Sequence, residues 1–458
     1  MEASPPTKSA SGMLMLLVLL ALSGVAAFVP VDHPSAGSTS TLNGADVAWM
    51  LTATALVLLM TPGLSFFYGG MVRPKNLIST MLQSFVAMGV ISVLWYFVGF
   101  SLAYGDSWHG LIGNPLTFAL LRNVGTAPNA AFSASIPFIL YFAFQLKFAI
   151  ITPALITGSF AERVNFKGYL AFMVLFGLFI YCPLAHWTWH PDGFLHKWGV
   201  LDFAGGTVVH ISAGVAALAG AIVMGPRRMN RQTSFSTPNV PFVLLGTGLL
   251  WFGWFGFNAG SSLGANEQGA LAFANTNLAS AAALIAWMLV EVARGGKPTA
   301  VGACIGAVVG LVAITPAAGF VNYGQSILIG VVASLVSFAG VHWKNSRTNI
   351  DDTLDVFPCH GLGGITGMIL TGVFADKVGL VHGTTTLFGY HMLALLIVVV
   401  YTFVGSWVLL KVTDMIFGLR VKAADEELGL DLSQHEESTY NVDEEYESTR
   451  KDLVAERH

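Results

Sequence analysis

Charged residues are scarce in this chain: Asp, Glu, Lys and Arg make up 10% of 458 residues, against 54% hydrophobic. A soluble protein carries roughly 25% charged residues, and so few could not cover a water-facing surface, which excludes a cytosolic hydrolase, a nucleic-acid binder or a disordered scaffold. No sign of charge dominates either; the net charge of -4 points to no polyanionic partner. Only three cysteines occur, Cys182, Cys304 and Cys359, each within an apolar stretch, so neither a disulfide framework nor a thiolate metal site is indicated. What is abundant is apolar length and glycine: the mean hydropathy is +0.66, and the 50 glycines suit a bundle of closely approaching membrane helices.

The two ends differ from the middle. Lys8, an apolar run from Met13 to Leu22 and the small residues Val25-Ala26-Ala27 form a signal-peptide pattern over residues 1–27. The same stretch also reads as an extra membrane helix, although it is short for a span of roughly 20 residues. Beyond Gly418 the apolar pattern stops, and residues 419–458 form a solvated tail rich in Asp and Glu.

Between the ends, residues 44–418 contain eleven apolar segments, centred near residues 58, 90, 148, 175, 214, 250, 280, 307, 330, 367 and 402. Each is about long enough to cross a hydrocarbon core as a helix. Every second loop is basic: Arg73 and Lys75; Arg163 and Lys167; Arg227, Arg228 and Arg231; Arg294 and Lys297; Lys344 and Arg347. The positive-inside bias places these loops in the cytoplasm, with the N-terminus outside and the tail inside. The expected fold is an all-α, multi-pass integral membrane protein in the cell inner or plasma membrane.

Weak internal echoes pair the first five segments with the next five. Ile151-Thr152-Pro153-Ala154 returns as Ile314-Thr315-Pro316-Ala317, and the spacing of Asp202, His210 and Gly214 returns in Asp352, His360 and Gly364. Gly63, Phe67 and Gly70 likewise match Gly253, Phe257 and Gly260. A shift of five spans inverts the second half, giving two inverted five-helix repeats plus a final helix, an arrangement that centres a transport site between the halves. Each histidine then lies eight residues, about 12 Å of helix, from its own face. Ionisable groups at that depth are costly and point to function. Two histidines alone are too few for a Zn or Fe site, so no metal is expected.

On the outer side, Phe257 and Ser261 sit one turn apart, level with His186-Trp187-Thr188-Trp189 and Asp202. Aromatic faces, a hydroxyl and a carboxylate can bind a small cation. The tryptophans also fit an interfacial aromatic belt, and Asp202 also fits a helix cap before Phe203-Ala204-Gly205-Gly206.

The stretch Asp202-Phe-Ala-Gly-Gly-Thr-Val-Val-His210-Ile-Ser-Ala-Gly resembles the signature of ammonium transporters of the Amt/MEP/Rh family. So do Gly253-Trp-Phe-Gly-Phe-Asn-Ala-Gly-Ser261, Phe144-Gln-Leu-Lys-Phe148, Ser159-Phe-Ala-Glu-Arg163, Asp355-Val-Phe-Pro-Cys-His360-Gly and Gly418-Leu-Arg-Val. The resemblance spans residues 44–441, and Trp189 favours its Amt branch. It implies a homotrimer with a pore in each subunit and no enzymatic activity, cofactor or nucleic-acid partner. Carried over, it makes Trp189, Phe148 and Ser261 an ammonium recruitment site, Phe148 with Phe257 a gate, His210, His360 and Trp254 the pore, and Asp202 a supporting acid. Ammonium is then recruited outside, desolvated and deprotonated, and ammonia passes the histidines with separate proton transfer; methylammonium is a candidate second substrate. The tail, Glu427-Leu-Gly-Leu-Asp431 to His435 and Tyr440-Asn441, resembles a regulatory tail packing across subunits, with a PII-type protein docking on the cytoplasmic face. Departures from the family pattern are Lys147 beside the gate, Pro358 just before the second histidine, and Glu436 where relatives have glycine. At about 100° around the helix from Phe148, Lys147 is expected to face away from the pore and to pair or snorkel.

Overall fold

Backbone N–H and C=O groups in an apolar run that water does not reach must pair within their own segment, and the runs accordingly form helices. The computed structural model describes residues 10–29, 41–228 and 237–439. Lys8, Arg231 and the tail from Tyr440 onward lie outside the described residues. In chain order the helices are α1 (Ala10–Ala26), α2 (Gly44–Met71), α3 (Pro74–Tyr104), α4 (Phe138–Ser159), α5 (Phe166–Lys197) and α6 (Gly206–Met224). There follow α7 (Val240–Gly260), α8 (Glu267–Ala293), α9 (Ala300–Ile314), α10 (Tyr323–Arg347), α11 (Phe357–Phe374) and α12 (Thr385–Phe417). Two short tail helices, α13 (Ala423–Leu428) and α14 (Leu430–His435), close the list. Side chains of Asn43, Asn165, Asn239, Asn266, Thr299 and Asn322 accept N–H bonds at the starts of six of them, so a short polar residue ahead of an apolar run marked each boundary.

Ten of these helices are long and apolar enough to cross a membrane. The expected eighth span is the exception. α9 has 15 residues, about 22 Å of rise, less than a roughly 30 Å core. It stops at Thr315-Pro316 because proline has no N–H to continue the ladder. The matching Pro153 lies inside α4, which runs on past it. The same tetrapeptide therefore ends one helix and not the other. The long connection from α3 to α4 also holds two small antiparallel hairpins, Ser107–Trp108 with Ile112–Gly113 and Pro128–Asn129 with Ser133–Pro137, an addition to the all-helical expectation.

Glycine sets how closely the halves meet. A Cβ on Gly246 would lie 2.3 Å from the backbone N of Phe67 and 2.6 Å from the carbonyl of Gly63, so α2 and α7 cross backbone to backbone. A Cβ on Gly214 of α6 would lie 2.1 Å from the N of Gly361 on α11, and one on Gly364 of α11 would lie 3.2 Å from Cβ of His210 on α6. These reciprocal contacts bring the two histidine-bearing helices together.

The basic loops gather at one end. Arg73 and Arg227 both pair with Glu162 at 2.9 Å, Arg227 also pairs with Asp351 at 2.9 Å, and Arg163 donates to the Asp351 and Ser159 carbonyls. The tail docks on this end of its own chain. The Asp431 carboxylate accepts the N–H groups of Ile78 (3.0 Å) and Ser79 (2.7 Å), and Leu430 donates to Asn76 at 2.8 Å.

Candidate functional site

Asp202 and Asp352 begin the two central helices in the same way. The Asp202 carboxylate accepts N–H bonds from Gly205 (2.9 Å), Gly206 (2.6 Å) and Thr207 (2.7 Å) and the Thr207 hydroxyl at 2.5 Å. Asp352 accepts from Val356 (3.1 Å) and Phe357 (2.7 Å). Asp202 is thus a helix cap, with both oxygens fully engaged; Thr207 is a partner that its sequence spacing did not announce. Each helix opens with a π turn, Gly206–Ile211 and Phe357–Leu362, and each π turn carries a histidine. Such turns occur often at functional sites because they re-aim side chains relative to a regular helix. Pro358 falls at the start of its turn, where a missing N–H costs little.

The histidines meet at the centre. Nδ1 of His210 and Nδ1 of His360 are 3.3 Å apart, and both residues are buried. Two neutral imidazoles at this separation share one proton: one histidine donates from Nδ1 and keeps a free Nε2 lone pair, while the other accepts at Nδ1 and carries its proton on Nε2. Nε2 of His210 is buried with no hydrogen-bond partner among the described residues. Trp254 stacks on His210 with centroids 5.3 Å apart and 20° between planes. Its indole N–H donates to the Thr315 hydroxyl at 3.0 Å, which locks the ring. Thr315 was read only as part of a repeat, and its role comes from the fold.

Around this pair lies a cavity of about 10 Å³, room for about one water-sized molecule. Its walls are apolar, from Leu64, Phe67, Leu155, Val209 and Leu250 among others, with His210 and His360 the only imidazoles lining it. Phe257 closes it on the Asp202 side. Phe148 and Phe257 lie 4.2 Å apart at 31° and are fully buried. Beyond them, Trp189 meets Phe148 edge-on at 5.8 Å and is held by its N–H bond to the Asp202 carbonyl, 3.2 Å. Ser261 is half-buried and donates its hydroxyl to the Phe257 carbonyl at 2.9 Å, which leaves its oxygen lone pairs to accept. All eight residues singled out in the sequence therefore fall in one column: Trp189, Phe148, Phe257, Ser261 and Asp202 toward one end, and Trp254, His210 and His360 at the centre.

Lys147 does not line the cavity, although Ile151 and Leu155 of the same helix do. It is half-buried and has no ion pair among the described residues. The pairing expected for it is not found among the described residues. Glu436 takes a left-handed conformation, φ 56°, just after α14, the helix-end geometry that glycine adopts at least cost, which explains why glycine suits that place.

A family model described as Ammonium Transporter Family matches residues 48–440. The chain is 47% identical over 411 residues to an ammonium transporter of Aquifex aeolicus (strain VF5), covering 88% of this chain and 95% of that protein. It is 44% identical over 402 residues to an ammonium transporter of Bacillus subtilis (strain 168), covering 86% and 98%. Among solved structures it is similar to Saccharomyces cerevisiae Mep2, with a TM-score of 0.81 and 36% identity over 88% of this chain and 92% of that one. It is also similar to a sensor Amt protein, with a TM-score of 0.78 and 30% identity over 85% and 98%.

Proposed function

Because the chain belongs to the ammonium transporter family, a family of multi-pass membrane transporters rather than enzymes, we propose that it moves ammonium as ammonia plus a separately transferred proton through the histidine column. The observation that carries this reading is the buried Nε2 of His210, unpartnered among the described residues, in a narrow, mostly apolar cavity behind two closely packed phenylalanines. A permanent ion such as potassium loses its hydration there with nothing to replace it, whereas ammonium can shed a proton and continue as neutral ammonia.

The steps follow from the groups present. With the Asp202 end outside, Trp189, Phe148 and the Ser261 oxygen receive ammonium by π faces and one acceptor. Past the gate of Phe148 and Phe257 the ion gives its proton to Nε2 of His210, and ammonia passes on. The shared Nδ1 proton moves to His360, which then releases its own Nε2 proton inward. One proton has crossed, and the pair is left with its tautomers exchanged. Asp202 holds the start of α6, and so the height of His210, through its four bonds.

The same reading includes eleven spans, with α9 as a short eighth, the N-terminus outside and the tail inside, a removable signal peptide at 1–27, and residence in the inner or plasma membrane. It also includes a homotrimer, methylammonium as a second substrate and a PII-type regulator at the face where the tail docks. The test is current from wild type and His210→Asp in proteoliposomes on a solid-supported membrane, after separate ammonium and potassium pulses. Wild-type current to ammonium alone, lost or unselective in the variant, is expected. An ammonia-dependent pH change in the vesicle with no current would replace this reading with a gas channel.

A further inference from the structure

The two ends of the column are related by the inverted repeat but are not chemically alike. At the Asp202 end, one carboxylate accepts from four neutral donors, all of them at the start of α6. At the other end Asp352 has two backbone donors, and a second carboxylate, Asp355, stands three residues further along with no counterpart in the first half. Asp355 is held in a left-handed backbone conformation, φ 57°, a placement unfavourable for a non-glycine residue. Its Oδ1 lies 2.6 Å from Nζ of Lys344, whose side chain is 7% exposed against 21% for Asp355. The same ammonium donates to the Asp352 carbonyl at 2.5 Å. A buried lysine at the end of an apolar helix is costly unless it is paired, and here it is paired across helices to the one carboxylate of this segment that also reaches solvent.

Asp355 stands on the segment that leads into His360. Its carbonyl accepts the N–H of Cys359, the residue before His360, at 3.0 Å, and five residues of helix separate it from His360, about 7.5 Å of rise. Leu354 and Thr353 donate to the Gly158 and Ser159 carbonyls at 3.1 and 3.2 Å, at the end of the helix whose Leu155 lines the cavity. The segment that carries Asp355 is therefore bonded to the end of α4, one turn beyond Leu155.

We propose that the Lys344–Asp355 pair is the inner end of the proton path, with Asp355 the carboxylate that receives the proton released from Nε2 of His360 and passes it to the cytoplasm, and Lys344 its positioning residue. This rests on the charge-moving reading above. In the step, His360 loses its Nε2 proton to water entering the inner mouth, the Asp355 carboxylate takes up a proton to become the acid, and that acid returns to carboxylate as the proton passes to bulk water. Burial pushes the Asp355 carboxyl up, opposed by Lys344, and burial likewise pushes up Asp352 beside it; a carboxyl raised toward the working pH is the better proton carrier. The other charged groups facing Asp355 are Asp351, Asp352 and Arg227, with Arg163 reaching the segment through Thr353. Removing Lys344 leaves a carboxylate that holds its proton to higher pH.

The test uses full-length protein in oriented proteoliposomes, with ammonium pulses, vesicle interiors buffered from about pH 5 to about pH 8, and ammonia-driven interior alkalinisation recorded in parallel. Asp355→Asn is expected to lower the current about tenfold while ammonia still alkalinises the interior. Lys344→Met is expected to shift the interior-pH midpoint of the current up by about one unit, and Lys344→Arg to restore the wild-type profile. An Asp355→Asn current within about twofold of wild type over this range overturns the assignment alone. Joint loss of current and alkalinisation in that variant also overturns it, because the residue is then structural. A wild type without ammonium current overturns the charge-moving reading and this one with it.

Discussion

His210 and His360 face each other Nδ1 to Nδ1 at 3.3 Å, although 150 residues separate them. One shared proton satisfies that contact, and a second in the same contact would set two N–H donors against each other and charge one ring in an apolar cavity. Replacing either ring by a group that cannot relay, as in His360→Ala, is expected to cut ammonium-evoked current about a hundredfold, measured on a solid-supported membrane beside a folded, monodisperse control.

Trp189 touches Phe148 but not the cavity. Its part is capture rather than passage, so Trp189→Leu is expected to raise the ammonium concentration giving half-maximal current about tenfold, roughly the strength of one partly desolvated cation–π contact, and to leave the maximal current within about twofold. A concentration series of currents separates the two effects.

Gly214 has no room for a methyl group, since Gly361 N would be 2.1 Å from it and that neighbour is backbone. Gly214→Ala is expected to lower stability by roughly 1–3 kcal/mol and to push α6 from α11. Thermal unfolding in detergent measures the first consequence, and loss of current beyond what the remaining folded fraction explains measures the second.

The ion pairs at the Asp352 end should be acid-labile. Burial raises Asp351, but the Arg227 hydrogen bonds and the charges of Arg163 and Arg227 outweigh it and hold the carboxyl at about 2. Glu162 is raised by burial and, more strongly, lowered by Arg73 and Arg227. For a carboxyl depressed in the folded state, the stabilisation is complete above its unfolded value of about 4 and is lost as pH falls through its folded value. Asp351, with its side chain 6% exposed, contributes roughly 2 kcal/mol at neutral pH. Melting temperature is expected to fall between about pH 4 and about pH 2, and Asp351→Asn to flatten that fall at a cost in stability at neutral pH.

The tail gives two substitutions of opposite sign. Asp431→Ala leaves the N–H groups of Ile78 and Ser79 without their acceptor, at about 1 kcal/mol, whereas Glu436→Gly relieves a left-handed residue by about 1 kcal/mol. Limited proteolysis within α13 and α14 is expected to speed up in the first variant and slow down in the second.

Much of this protein is decided locally and is therefore legible in the chain. Helix bonds join residues four apart, so the apolar runs and the Asp-to-His spacings were readable in order, whereas the asparagines that cap the runs emerged from the structure. The family motifs named seven of the eight residues of the column for the same reason, each motif being a short contiguous stretch, and the resemblance added Trp189 from outside them. The tertiary structure decided what depends on distances between helices. It turned Thr315-Pro316 into an end for α9, with Gly206 at the start of α6 against the Pro316 ring, while Thr152-Pro153 stayed inside α4. It joined Trp254 to Thr315, left Lys147 half-buried without an ion pair among the described residues, laid Asp431 on α3 of its own chain, and set Lys344 against Asp355. None of these pairings has a period or spacing in the chain. Each follows from where backbones cross, and glycines such as Gly214 and Gly246 allow those crossings without specifying which side chains meet there.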